Sequence, residues 1–255
     1  MRLLHATTLQ FHEFQGSDIP PYAILSHRWE DEEEVTHQEM RGWWRGFKMK
    51  RGIRKVKECC QQAVKDGLYY VWVDTCCIDK TSSAELSEAI NSMYRWYQNS
   101  ATCYAYLSDV HVTANNRTLS AVDFPSRGDS LALPAQFLAS KWWTRGWTLQ
   151  ELIAPRIVRF YANDQHHAWV YIGDKSTLLH AIARKTSIDV QVLNGLDVRQ
   201  CSIANRMSWA SARTTTRIED MAYCLLGLFS INMPLLYGEG DRAFIRLQVW
   251  FLEPQ

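Results

Sequence analysis

The chain has 255 residues, a formal net charge of +1 and 47% hydrophobic residues. That is enough to bury a sizeable core, and the balanced charge excludes a whole-molecule field directed at nucleic acid or anionic membranes. Eleven Trp and eleven Tyr exclude a disordered chain; no apolar run reaches membrane-spanning length and Met1-Arg-Leu-Leu-His5 lacks the apolar core of a secretory leader, so a cytoplasmic protein with no membrane span is expected.

In chain order, Tyr22–Ser26 is a short apolar run after Pro20-Pro21 and predicts the first strand, which ends in Ser26-His27-Arg28-Trp29. Residues 30–57 then pass from an acidic patch, Glu30 to Glu34, into a basic and aromatic one holding Trp43, Trp44, Arg45, Lys48, Lys50, Arg51, Arg54, Lys55 and Lys57. Basic residues interleaved with aromatics can hold single-stranded nucleic acid. The adjacent acids would repel phosphates, so the run reads as a solvated loop and the entry face of a helix, and no nucleic-acid partner is expected. Val56, Cys60, Ala63 and Val64 recur at helical spacing, with Gly67 placed to close the helix.

Tyr69–Asp74 predicts the second strand. Ser82 and Glu85 have the spacing of a capping box, and Leu86, Ile90, Met93 and Tyr97 form the apolar stripe of the helix behind it. Thr102–Leu107 predicts the third strand, followed by Ser108-Asp109 and a long polar loop over 111–135 of the kind often used as a lid or insertion. Ser140–Leu152 reads as a Trp-rich helix stopped by Pro155, and Ile157–Tyr161 as the fourth strand. Continuous apolar runs alternating with helical stripes predict an α/β fold, a mostly parallel sheet flanked by helices.

After about residue 165 the texture changes. Trp169–Ile172 can add a strand, but Leu178, Leu179, Ile182 and Ala183, then Asp220–Phe229 punctuated by Gly227, then Arg242–Phe251, predict a C-terminal α-helical extension. The expected organisation is a domain over 1–165 with residues 166–255 packed on it. The seven cysteines include the adjacent pairs Cys59-Cys60 and Cys76-Cys77. These do not have the spacing of zinc or redox sites, and no metal site is expected.

Within the Trp-rich segment, Glu151 follows Trp147 by four residues and shares its helix face. An acid on so apolar a helix must be exposed in a cleft, paired with a cation such as Arg145, or raised in pKa. Ligands of open parallel sheets bind outside the carboxyl ends of the strands. Those ends carry Ser26, Arg28, Trp29, Asp74 and Asp109: a cation, a stacking ring, a hydroxyl and carboxylates suited to a nucleotide or sugar.

Tyr22-Ala-Ile-Leu-Ser-His-Arg-Trp29, Val71-Trp-Val-Asp-Thr-Cys-Cys-Ile-Asp79, Ala89-Ile-Asn-Ser-Met-Tyr94 and Arg145-Gly-Trp-Thr-Leu-Gln-Glu151 resemble the fungal heterokaryon-incompatibility (HET) domain. Arg206-Met-Ser-Trp-Ala210, Glu219-Asp-Met-Ala-Tyr223 and Met233-Pro-Leu-Leu-Tyr-Gly-Glu239 resemble the extension that follows it. The resemblance implies a self/non-self recognition module that triggers programmed cell death. The HET domain is in turn similar to TIR domains, and Glu85-Leu-Ser-Glu-Ala-Ile90, Leu107-Ser108 and Trp147-Thr-Leu-Gln-Glu-Leu152 follow the TIR order, with Thr148 where Cys is common. That similarity implies a TIR-like (flavodoxin-like) fold, NAD as candidate substrate and Glu151 as the catalytic carboxylate. Strand-end placement adds Trp29 or Trp147 to stack on a ring, Arg28 for phosphate, and Ser26 and Asp74 as ribose or loop-ordering groups. The competing expectation is a non-enzymatic death adaptor acting by self-association or through a separate sensor protein, with Trp142, Trp143 and Arg145 as interface anchors.

Overall fold

In the computed structural model, which describes residues 1–16, 18–30, 32–42, 50–112, 133–164, 166 and 168–251, seven strands form one mixed sheet. They are β1 (Arg2–His5), β2 (Phe11–Glu13), β3 (Ala23–His27), β4 (Tyr70–Trp72), β5 (Thr102–His111), β6 (Val158–Asn163) and β7 (Trp169–Asp174), in the order β2-β1-β4-β3-β5-β6-β7. The inner four, β4, β3, β5 and β6, are parallel, and they are the four apolar runs legible in the sequence. β1 and β7 pair antiparallel with β4 and β6, and β2 pairs antiparallel with β1 at one edge. The β1–β2 hairpin is an addition to the predicted set: Arg2-Leu-Leu-His5 buries two adjacent leucines and shows no alternation. β5 also outruns its predicted end by four residues, through a register shift against β6 between Tyr106 and His111.

The helices are α1 (His37–Arg41), α2 (Gly52–Lys65), α3 (Asp74–Cys77), α4 (Ser83–Gln98), α5 (Leu133–Ala139), α6 (Thr148–Ile153), α7 (Leu179–Thr186), α8 (Val190–Leu193), α9 (Ile203–Ser208), α10 (Asp220–Tyr223), α11 (Leu226–Phe229) and α12 (Arg242–Trp250). In α2, Val56, Cys60 and Ala63 face the core while Val64 is exposed, and Gly67 at φ +76° turns the chain out of the helix. The Ser82 hydroxyl caps α4 by accepting from the Glu85 N–H, but the box is not reciprocal. The Glu85 carboxylate instead accepts from Arg2 at 2.7 Å and from the Asp79 N–H at 2.7 Å, tying the hairpin to α4. The reciprocal capping box lies at Thr36 and Glu39.

The acidic and basic patches of the 30–57 segment meet at several points. Lys55 pairs with Glu34, Lys50 with Glu39 at 2.7 Å, and the Arg51 N–H donates to Glu33 at 2.9 Å. Trp43, Trp44, Arg45 and Lys48 lie outside the described residues, as do residues 113–132 of the long polar loop. All seven cysteines are unpaired thiols and six are buried. Among the described residues no helix is long and apolar enough to cross a membrane.

Two helices predicted as single pieces are broken. Ser140 caps a turn of 3-10 helix over Lys141–Thr144, the chain then extends through Arg145, and α6 starts only at Thr148. The break is made by the extension. Gly146 N–H donates to Thr214 O at 2.9 Å and Thr214 N–H to Thr144 O at 2.7 Å, and a Cβ on Gly146 would sit 2.5 Å from Thr215 Cγ2. Likewise 220–229 divides into α10 and α11 at Cys224–Leu225, and Gly227 is not the break. It is the point of closest approach to α4, where a Cβ would fall 2.0 Å from Tyr94 Cβ.

The extension is knitted internally by its own motif residues. The Glu219 carboxylate accepts from the N–H of Gly238 at 2.8 Å and of Gly240 at 3.1 Å, Glu239 pairs with Arg246, and Arg206 donates to Leu228 O at 2.8 Å. One continuous apolar core runs from Leu3 in β1 to Leu247 in α12.

Gly227→Ala is therefore expected to destabilise the whole protein by about 3 kcal/mol or more, the range of overpacked cores, measured by urea denaturation. The additional substitution Tyr94→Gly should restore part of the loss, because it removes the Cβ at 2.0 Å together with the ring atoms behind it, whereas Tyr94→Ala keeps that Cβ and should restore less.

Candidate functional site

Two successive crossovers run in opposite directions past β3. The chain passes from β3 to β4 on one side, then across to β5 on the other, so the carboxyl ends of β3 and β5 flank a topological switch point. Ser26 and His27 end β3, Asp74 opens α3 directly after β4, and α6 lies in the connection from β5 to β6.

Glu151 is at the centre of this set and is buried, 6% exposed. The Ser26 hydroxyl donates to Glu151 Oε2 at 2.5 Å and itself accepts from the Trp142 indole N–H at 2.9 Å. Tyr97 donates its hydroxyl to Leu25 O at 2.8 Å and lies beside the Glu151 carboxyl. Burial pushes Glu151 up to about 8, and the negative charge of Asp74 adds to the rise. The hydrogen bond from Ser26, the neighbouring Tyr97 hydroxyl and the charge of Arg213 oppose it. Of the three fates open to an acid on this helix, the structure selects a raised pKa. Arg145 is not the partner: its guanidinium donates to Thr216 at 2.8 Å.

A second pair sits toward solvent. Trp29 is 44% exposed and donates its indole N–H to Asp74 Oδ2 at 2.7 Å, while the Lys80 ammonium lies 3.5 Å above the Trp29 ring. His27 is buried behind them, with Nδ1 3.9 Å from Asp74 Oδ1 and Nε2 3.4 Å from Glu34 Oε2. Burial alone would raise Glu34; the charges of His27 and Lys55 outweigh it and hold the carboxyl down at about 2. Neither ring nitrogen of His27 nor Asp74 Oδ1 makes a hydrogen bond of good geometry, so the mouth of the site retains unsatisfied polar atoms.

The sequence-derived candidates fall into distinct positions. Ser26 and Glu151 are joined directly, and so are Trp29 and Asp74. Arg28 is half-buried and makes no ion pair or hydrogen bond among the described residues. Trp147 caps α6 rather than lying within it, and its indole is directed to Asp220 in the extension. Asp109 is committed to structure, accepting from Ser140 Oγ at 2.6 Å and the Lys141 N–H at 2.8 Å. Trp142 and Trp143 are 1% and 4% exposed and pack edge-to-face on each other, so they are not available as surface anchors.

Tyr97, Trp142 and Arg213 are the site residues that sequence reasoning does not reach as such. Tyr97 is camouflaged in the apolar stripe of α4, Trp142 looks like an interface residue, and Arg213 has no spacing relation to Glu151. A cavity of about 1000 Å3 lies elsewhere, between α4 and the segment Phe14–Tyr22, and none of these site residues lines it except through the shared helix α4.

Fold and site together define an α/β protein with a protonatable, buried carboxyl at the switch point of its sheet. The model of the family "Heterokaryon incompatibility protein (HET)" matches residues 22–151, from the run that forms β3 to Glu151 itself, and the chain belongs to that family. It is similar to the vegetative incompatibility protein HET-E-1 of Podospora anserina, with 45% identity over 238 residues. That match covers 92% of this chain and 16% of the relative's length. No solved structure matches the chain.

A carboxyl protonated when folded and ionised when unfolded makes stability fall with rising pH. Between the ordinary glutamate value and about 8 the native state holds the extra proton, so each pH unit costs up to about 1.4 kcal/mol. Glu151→Gln removes this dependence. Its stability relative to the parent protein, from urea midpoints at pH 5 and pH 8, is expected to rise with pH; a constant difference would mean that Glu151 is ionised throughout.

Proposed function

We propose that this chain is the death-inducing effector module of a fungal heterokaryon-incompatibility system, and that it acts by hydrolysing NAD. The observation that carries the reading is the Ser26–Glu151 pair at the switch point between β3 and β5. The parallel strands, numbered as they occur, stand in the order second-first-third-fourth, which is the flavodoxin-like order that the TIR resemblance implies. The HET family match and the name of the Podospora relative, a vegetative incompatibility protein, support the incompatibility role.

The chemistry asks little of the protein. Water replaces nicotinamide on the ribose carbon: the C–N bond breaks with its electron pair leaving on neutral nicotinamide, and the products are ADP-ribose, nicotinamide and one proton. The leaving group needs no acid, and the transition state is an oxocarbenium-like ribose. A carboxylate beside that carbon stabilises the positive charge. With its pKa raised to about 8, Glu151 is mostly neutral near pH 7 in the free protein; the cationic nicotinamide ring would draw its pKa down, so binding itself favours the ionised form. Ser26 then donates to the carboxylate and orients it. Trp29 offers a ring face at the mouth, Asp74 fixes that ring and can reach ribose hydroxyls, and Arg28 is placed for a phosphate. Trp147, turned to Asp220, is the weaker of the two stacking candidates.

The second reading, a non-enzymatic adaptor that signals by self-association, is favoured by the depth of Glu151. Purified protein assayed for nicotinamide release separates the two. Under the enzymatic reading Glu151→Gln lowers turnover by about a hundredfold or more, and Ser26→Ala, which removes one hydrogen bond to a charged group, by about tenfold or more. The free protein's kcat/KM should rise tenfold per pH unit up to about 8, where Glu151 ionises. No turnover from folded protein at any concentration would leave the adaptor.

A further inference from the structure

We infer that Arg213, carried by the C-terminal extension, is the counter-charge that allows Glu151 to ionise, so that the site is completed by a residue outside the segment 22–151 that the family model matches. Its bearing on catalysis rests on the reading of Glu151 as the working carboxylate.

Arg213 is 5% exposed, and its guanidinium meets only neutral acceptors: Arg145 O at 2.9 Å, Thr148 Oγ1 at 2.8 Å and Trp209 O at 3.3 Å. No carboxylate lies within ion-pair distance of it among the described residues. A buried cation without an anion is among the most costly arrangements in a protein interior. This one is also set on the first turn of α6, where the helix dipole disfavours positive charge. Both placements become favourable once an anion forms nearby, and Glu151 is one helical turn from Thr148 on the same face.

The groups facing Glu151 leave Arg213 as the positive charge among them. They are Asp74 from α3, Tyr97 from α4 and Cys103 from β5, with Cys224 behind Arg213 from the extension. Asp74 opposes ionisation of Glu151 and Arg213 favours it. Lys175, just after β7, donates to Leu152 O and Pro155 O at the other end of α6 and holds that helix in place.

The extension brings Arg213 in by the pairing that also breaks the Trp-rich segment, Thr214 with Thr144 and Gly146. The positions of the guanidinium and of α6 are therefore set together. Arg213 is a positioning residue: it touches the helix that presents Glu151, not the ribose.

A carboxyl NMR titration on glutamate-labelled protein tests this, with the Glu151 signal assigned by its loss in Glu151→Gln. In Arg213→Met the Glu151 midpoint should move up, by as much as about one unit; in Arg213→Lys, which keeps the charge, it should stay near the parent value. Arg213→Gln retains N–H donors for Thr148 and Arg145 without the charge. It should shift like Arg213→Met, and it serves if that variant does not fold. A midpoint unmoved in the uncharged variants overturns the inference, whatever the protein does to NAD. If the midpoint moves and no variant or parent consumes NAD, the coupling stands and the enzymatic reading fails. With turnover present, the alkaline displacement of the kcat/KM profile in Arg213→Gln should match the NMR shift.

Discussion

The structure turns on a carboxyl group placed where water does not reach it. Glu151 is held by a serine hydroxyl that is itself held by an indole, beneath a tyrosine bound to the backbone of β3. Ser26, Trp142 and Tyr97 come from different elements, so the hydrogen bonds around the carboxyl form together only when strand β3, helix α4 and the Trp-rich segment are all in register. A buried acid left without such donors would cost several kcal/mol. The site is thus also a checkpoint of assembly.

The same constraint explains why the extension belongs to the site. α6 has six residues, too short to hold its own conformation in isolation. Its entry is pinned by the pairing of Thr214 with Thr144 and Gly146, its first turn by Arg213 and its exit by Lys175. Motifs at 206–210, 219–223 and 233–239 hold the extension together and bring that support to one place. The continuous core from Leu3 to Leu247 shows the physical unit to be larger than residues 22–151.

Much of this was legible in the chain, and the pattern of what was not is instructive. Val71-Trp-Val73 and Tyr104-Ala-Tyr106 read as strands because buried parallel strands are apolar on both faces. The β1–β2 hairpin escaped because strands of three and four residues hold too few positions for a period to show. Ser140–Leu152 read as one helix because its composition is helical throughout. The interruption comes from Thr214, some seventy residues later, which competes for the backbone of Thr144 and Gly146. Gly227 looked like a helix breaker, although its reason is the ring of Tyr94 on another helix.

The sequence by itself determined the α/β class, the four central strands, the polar character of their carboxyl ends and the singularity of Glu151 on an apolar segment. These are local properties, written in composition and period. Only the tertiary structure decided that Glu151 is a raised, buried acid rather than the partner of Arg145, that Ser26 and Trp142 complete it, and that Arg213 stands behind it. Charge state and hydrogen-bond partners depend on distances between groups far apart in the chain, and no spacing rule carries those distances.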